Sequence, residues 1–185
     1  MFKHDKIAHM KRVTDYINPA RKTKALGVDI GNVIINHRLT DPSDKTLYEE
    51  RYSTIPASEG ALEALKTLNA YFNGQVYLIS KCTEWAQEKI LQWLAGHDFY
   101  TTTGIEKENV YFVRERHEKD AVCKKLGITH FIDDRLEVLS YVIDSTPHLY
   151  LFQPDDKEVD EFKKFLPKVT VVNGWNEAIK SITGK

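Results

Sequence analysis

Cysteine is scarce in this chain, with two in 185 residues, Cys82 and Cys123. Their separation fits neither a metal-binding nor a redox pair, which argues against a disulfide framework and for reduced thiols in a reducing compartment. No apolar run is long enough to span a bilayer and no secretory apolar segment is recognisable, so a cytoplasmic protein without a membrane partner is expected. Charge of one sign is also missing. The net charge is −1, which provides no global field for nucleic acid or membranes. Repeats and low-complexity tracts are absent. A hydrophobic content of 42% and a charged content of 29% are ordinary for a globular protein, and this length suits one domain with a proper core.

The charge is unevenly spread. Residues 1–24 carry Lys3, Lys6, Lys11, Arg12, Arg21, Lys22 and Lys24 against Asp5 and Asp15. Ile7, Met10, Val13 and Ile17 sit at helical spacing there, and Pro19 ends the pattern. A basic helical extension over 1–24 is therefore expected. It reads first as a solvated face and second as an arm for an anionic partner.

From Ala25 onward, short apolar stretches alternate with helical patterns. "ALGVDI" reads as a first strand, "QVYLIS" (75–80) as a second, "NVYFV" (109–113) as a third, "ITHFI" (128–132) as a fourth and "HLYLF" (148–152) as a fifth. "KVTVV" (168–172) reads as a short sixth. Between them, Ala61, Leu62, Leu65, Leu68 and Phe72 form one helical stripe that Ser58 would cap. Ala86, Ile90, Trp93 and Leu94 form another, ending near Gly96, with Thr83 as a further capping residue. A helix over about 117–126 stops at Gly127, and Trp175, Ala178 and Ile179 mark a last one. This alternation predicts a single α/β domain over 25–185, a doubly wound and mostly parallel sheet of Rossmann type. The polar segment 37–58 has room for a flap or miniature cap but not for a cap domain.

In such a sheet, ligands bind beyond the carboxyl ends of the strands, near the switch point. Asp29, Ser80-Lys81, Lys119 and Asp133-Asp134 all fall at or just after strand ends. Taken singly each has an ordinary reading: Ser80 as a cap, Lys119 as a surface lysine, Asp133-Asp134 as a cap or a metal site. Three carboxylates at one sheet edge repel one another unless a cation lies between them, and hard oxygen ligands with open positions favour Mg²⁺.

In their order and placement these residues resemble the four motifs of the haloacid dehalogenase (HAD) superfamily of phosphohydrolases. The resemblance covers roughly Ala25 to Trp175 and rests on "GVDIGNVI", "YLIS", "HEKDAVCKKLGITHFIDD" and a final "GWNEA". It implies a phosphatase in which Asp29 is the nucleophile and forms an aspartyl-phosphate, while Ser80, Lys119 and Gly31 hold the phosphate. It further implies that Asp29, the Gly31 carbonyl, Asp133 and Asp134 hold Mg²⁺, and that Lys119 balances charge. Lys124, Lys125, Arg114 and Arg116 compete with Lys119 for that role.

One residue departs from the pattern. Gly31 stands where the family has a second Asp as general acid and base. The metal carbonyl survives this change; the proton-transfer group does not. His37 is one replacement and otherwise a surface histidine; a relay through substrate or water is another. His37, Arg38, Tyr48, Arg51 and Tyr52 are candidate substrate readers, or simply members of a charged loop. The resulting expectation is a Mg²⁺-dependent phosphomonoesterase for a small phosphorylated metabolite or nucleotide, with a homo-oligomer able to lend a lid. An inactive phosphate-binding protein and a polynucleotide-end phosphatase are the alternatives.

Overall fold

The computed structural model describes residues 23–39 and 51–185. The expected basic helix at the N-terminus and the centre of the 37–58 segment, Tyr48 included, lie outside the described residues. Six strands form one all-parallel sheet: β1 (Leu26–Val28), β2 (Val76–Lys81), β3 (Val110–Val113), β4 (His130–Asp133), β5 (His148–Phe152) and β6 (Thr170–Val172). Their order is β3-β2-β1-β4-β5-β6, so the chain winds outward from β1 to β3, returns to the centre at β4 and winds the other way. The switch point lies between β1 and β4, which pair from Leu26 opposite His130 to Val28 opposite Ile132. This is the expected doubly wound sheet.

Helices cover both faces because the central strands are apolar on both sides. On one face, α1 (Ala61–Tyr71), α2 (Glu84–Gly96), α3 (Phe99–Thr103) and α7 (Trp175–Thr183) bury Leu65, Leu68, Trp93, Phe99 and Trp175 against Leu26, Val28 and Ile132. On the other, α4 (Glu118–Leu126), α5 (Leu136–Val142) and α6 (Asp156–Phe162) bury Cys123, Leu136, Leu139 and Val142 against Ile79, Phe131 and Leu151. The centre of the sheet is packed tightly. A methyl group on Gly27 would lie 2.3 Å from the Phe131 ring, so this strand tolerates no side chain there.

The expected stop at Gly127 holds, since this residue adopts a left-handed conformation (φ 64°) just past α4. Thr83 caps α2 by accepting a hydrogen bond from the Ala86 amide. Ser58 does not cap α1. The chain enters that helix through Gly60 at φ 73°, without a side-chain cap. A left-handed entry points the preceding backbone away, and the buried Ser58 hydroxyl has no hydrogen-bond partner. Strand patterns also hid three helices. α3 lies in what reads as a bare connection before β3, while α5 and α6 are too short for a clear periodic stripe.

Among the described residues, no helix is long and apolar enough to cross a membrane.

Candidate active site

β1 ends at Val28, so Asp29 is the first residue beyond it, with its amide still donating to the Ile132 carbonyl of β4 at 2.9 Å. The backbone then folds back on itself. The amides of Ile34 and Ile35 both donate to the Ile30 carbonyl, and Val33, Ile34 and Ile35 are fully buried. The second apolar run in "DIGNVII" thus anchors a tight turn instead of continuing the strand. The indole of Trp175 donates to the Val33 carbonyl at 3.1 Å, so the "GWNEA" segment at the start of α7 holds this turn from behind.

Asp133, the last residue of β4, and Asp134 after it arrive at the same edge. Carboxylate oxygens of Asp29, Asp133 and Asp134 all lie within 4.8 Å of one another. Lys119, near the start of α4, reaches in from the side. Its Nζ donates to Asp29 Oδ1 at 2.7 Å and to Asp133 Oδ2 at 2.8 Å. Its side chain is 2% exposed, which makes this a buried cation between two acids. Three of the competing cations are engaged elsewhere, Lys124 with Asp120, Arg116 with Glu137, and Arg114 with the Cys82 carbonyl and Gln87, and Lys125 is exposed.

The electrostatics follow from burial. Desolvation pulls the Lys119 ammonium down, but Asp133 and Asp29 outweigh it and hold the group well above its ordinary value, so it is charged. Asp133 is pushed up to about 8 by its burial, with Asp29 and Asp134 adding to the rise and Lys119 opposing it. Asp134 is raised by burial and by Asp29. One ammonium does not balance three acids. A further positive charge is what this edge of the sheet would accommodate, and an all-oxygen donor set fits Mg²⁺.

The remaining residues divide. Ser80 is buried in β2, the strand beside β1 on the other side from β4, at the same carboxyl edge. Gly31 follows Asp29 by two residues and pairs with Ile35 across the turn. His37 faces the same place: a methyl group on Gly31 would lie 3.7 Å from His37 Cδ2 and 3.8 Å from Asp29 Oδ2. Burial holds the imidazole below its ordinary pKa, while Asp29 pulls the other way. Arg38 donates to the Asn32 carbonyl and to the side chain and carbonyl of Gln153 beyond β5, and lies 3.6 Å from Asp134. Its guanidinium ties the turn to the sheet, which is a structural role. Tyr52 is 2% exposed and makes a poor substrate reader, because its ring packs between His37 and Trp85.

Sequence reasoning overlooked Asn32, whose Nδ2 donates to Asp134 Oδ2 at 2.9 Å. Asn32 occupies the left-handed region (φ 59°), where asparagine is among the tolerated residues. Its place beside Gly31 was the available signal. Arg135, whose amide donates to Asp133 Oδ1, gave none, because a backbone donor is invisible in sequence.

No family model matches the chain, and no curated protein matches it either. Solved structures do. A HAD family hydrolase from Deinococcus radiodurans R1 with bound phosphate and sodium is 14% identical, covers 87% of this chain and 95% of its own, and superposes with a TM-score of 0.63. D,D-heptose 1,7-bisphosphate phosphatase from B. bronchiseptica, complexed with magnesium and phosphate, is 13% identical over 87% of this chain and 98% of its own, with a TM-score of 0.59. A HAD-superfamily hydrolase from Ehrlichia chaffeensis is 11% identical over 86% and 96%, with a TM-score of 0.56. At these identities the shared property is the fold, and the fold of this chain is HAD-like.

Proposed function

We propose that the chain is a phosphohydrolase that cleaves phosphomonoesters through an aspartyl-phosphate on Asp29. The observation that carries this reading is the buried Lys119, bridged between Asp29 and Asp133 at a sheet switch point where three carboxylates converge. Elsewhere in a protein, such crowding of acid would be costly. Here it makes sense as a cradle for a divalent cation and a phosphate. One solved neighbour of the same fold is complexed with magnesium and phosphate and another with phosphate and sodium, which supports the reading.

In this mechanism Asp29, Asp133 and the Gly31 carbonyl would hold Mg²⁺, and Asp134 would complete or orient the shell. The ion would supply charge neutralisation for the phosphate oxygens. Lys119 holds the Asp29 carboxylate in place and offsets charge on the nucleophile and the incoming phosphate. Ser80 and the backbone amides after Asp29 would hold phosphate oxygens. Asp29 attacks phosphorus in line, and water later releases phosphate from the acyl phosphate. The substrate is a small phosphorylated metabolite or nucleotide.

The test pairs a panel of phosphorylated metabolites with and without Mg²⁺ against the Asp29→Asn variant. Activity that needs Mg²⁺ and falls by more than about 10³-fold in the variant supports the reading. A variant indistinguishable from wild type on every compound favours the second reading, a phosphate-binding protein without turnover, for which the absent acid at Gly31 is the specific observation.

A further inference from the structure

Cleavage of a phosphomonoester leaves an alkoxide that needs a proton, and the later attack of water releases one. Asp29, Lys119, Asp133 and Asp134 are already committed to one another and to charge balance. Gly31 has no side chain, although its backbone does not require glycine. Its φ lies outside the left-handed range, and a methyl group there would make only ordinary contacts, to His37 Cδ2 and Asp29 Oδ2. A side chain at position 31 would therefore enter the gap between the nucleophile and the imidazole. The Cδ2 atom of His37 borders that gap.

Both the backbone and the ring of His37 are engaged. The His37 amide donates to the Ile35 carbonyl at 3.0 Å, and Nε2 lies 3.4 Å from the hydroxyl of the buried Tyr52. Outside those committed groups, the other titratable group among the described residues that senses Asp29 is Cys82. Burial pushes its thiol up, so it neither accepts nor gives a proton readily at neutral pH.

We propose that His37 is the proton-transfer residue of this site, in the place that a side chain on Gly31 would otherwise occupy. This rests on the phosphohydrolase reading. In the first step an Asp29 oxygen bonds to phosphorus while the bond from phosphorus to the ester oxygen breaks. That oxygen keeps the electron pair and takes the proton of the imidazolium, leaving as an alcohol. In the second step the neutral imidazole takes a proton from water as its oxygen bonds to phosphorus. The bond between phosphorus and Asp29 breaks, the carboxylate recovers its electron pair, phosphate departs and the imidazolium is restored.

The experiment compares wild type, His37→Ala, Gly31→Asp and the double variant, with Mg²⁺, on glycerol 2-phosphate and p-nitrophenyl phosphate. For His37→Ala, kcat/KM on the alkyl ester should fall about 10²-fold or more, and on the aryl ester less than about tenfold, because a phenolate leaves without a proton. The aryl ester should also show a burst of p-nitrophenol equal to the enzyme present, since the second step has lost its base. Adding Gly31→Asp to His37→Ala should return at least about tenfold of the lost alkyl rate. His37→Gln gives the same readout if the alanine variant folds poorly. Equal losses on both esters, or none, together with a linear time course, overturn the role of His37 while leaving Asp29 essential. Wild type behaving like Asp29→Asn overturns the phosphohydrolase reading and this inference with it.

Discussion

Lys119 is where charge and burial meet most sharply. Its ammonium is the counter-charge for Asp29 and Asp133, and it has almost no exposure. Removing one partner of a buried ion pair leaves the other charges uncompensated, which costs about 3–5 kcal/mol. Lys119→Met should therefore lower the melting temperature of the metal-free protein by several degrees. Added Mg²⁺ should raise the melting temperature of this variant more than that of wild type, because the ion replaces part of the missing charge. Thermal unfolding with chelator and with Mg²⁺ checks both outcomes. Equal Mg²⁺ effects in the two proteins would show that the three acids do not bind the ion together. Asp29, the lysine and the acidic pair were all legible as residues, because charges at the ends of apolar strands stand out. The family resemblance singled out Lys119 as the cation that closes the cluster, whereas charge and spacing alone did not, since Lys124, Lys125, Arg114 and Arg116 lie near it in sequence.

At the scale of elements, the segment from Asp29 to Leu39 shapes the site without being a strand or a long helix. The chain turns on Ile30 and buries Val33, Ile34 and Ile35 beneath the site. Arg38 then fastens this turn to Gln153, at the end of β5, and to the Asn32 carbonyl. Asn32 in turn orients Asp134. Arg38→Ala should cost less than about 1 kcal/mol in urea unfolding, as expected for an exposed side chain. It should weaken Mg²⁺ binding several-fold, measured by calorimetry, because Asp134 loses its support. A variant with unchanged Mg²⁺ affinity would mean that the turn holds its shape without the clamp. At Ser58 the residue type suits a cap, but the left-handed Gly60 decides how the chain enters α1.

For the whole molecule, the sheet's opposite edge carries a consequence for stability. His130 on β4 stacks against His148 of β5 at 4.4 Å and meets Phe72 edge-on at 5.1 Å. Burial lowers its pKa to about 4, with His148 and Lys24 adding to the effect. The unfolded chain binds this proton near the ordinary 6.5, the folded chain only near 4, so acid favours unfolding. Stability should be full above about pH 6.5 and decline as the pH falls from there towards 4, within the part of the profile that His130 controls. Melting temperatures across that interval should fall less steeply for His130→Phe, which keeps the stacking and removes the proton. Parallel profiles would assign the acid sensitivity to other groups.

The alternation of apolar strands and amphipathic helices determined an α/β sheet with its functional edge at the strand ends, because a period of two or of 3.6 is a local property of the chain. The residue types at those ends determined that the edge would carry acids and a lysine. Only the tertiary structure decided that β4 returns to pair with β1, and hence that Asp29 and Asp133, far apart along the chain, share one ammonium. It alone placed His37 across the gap that Gly31 leaves. Such contacts depend on how the backbone turns between elements, and packing of the whole core sets those turns.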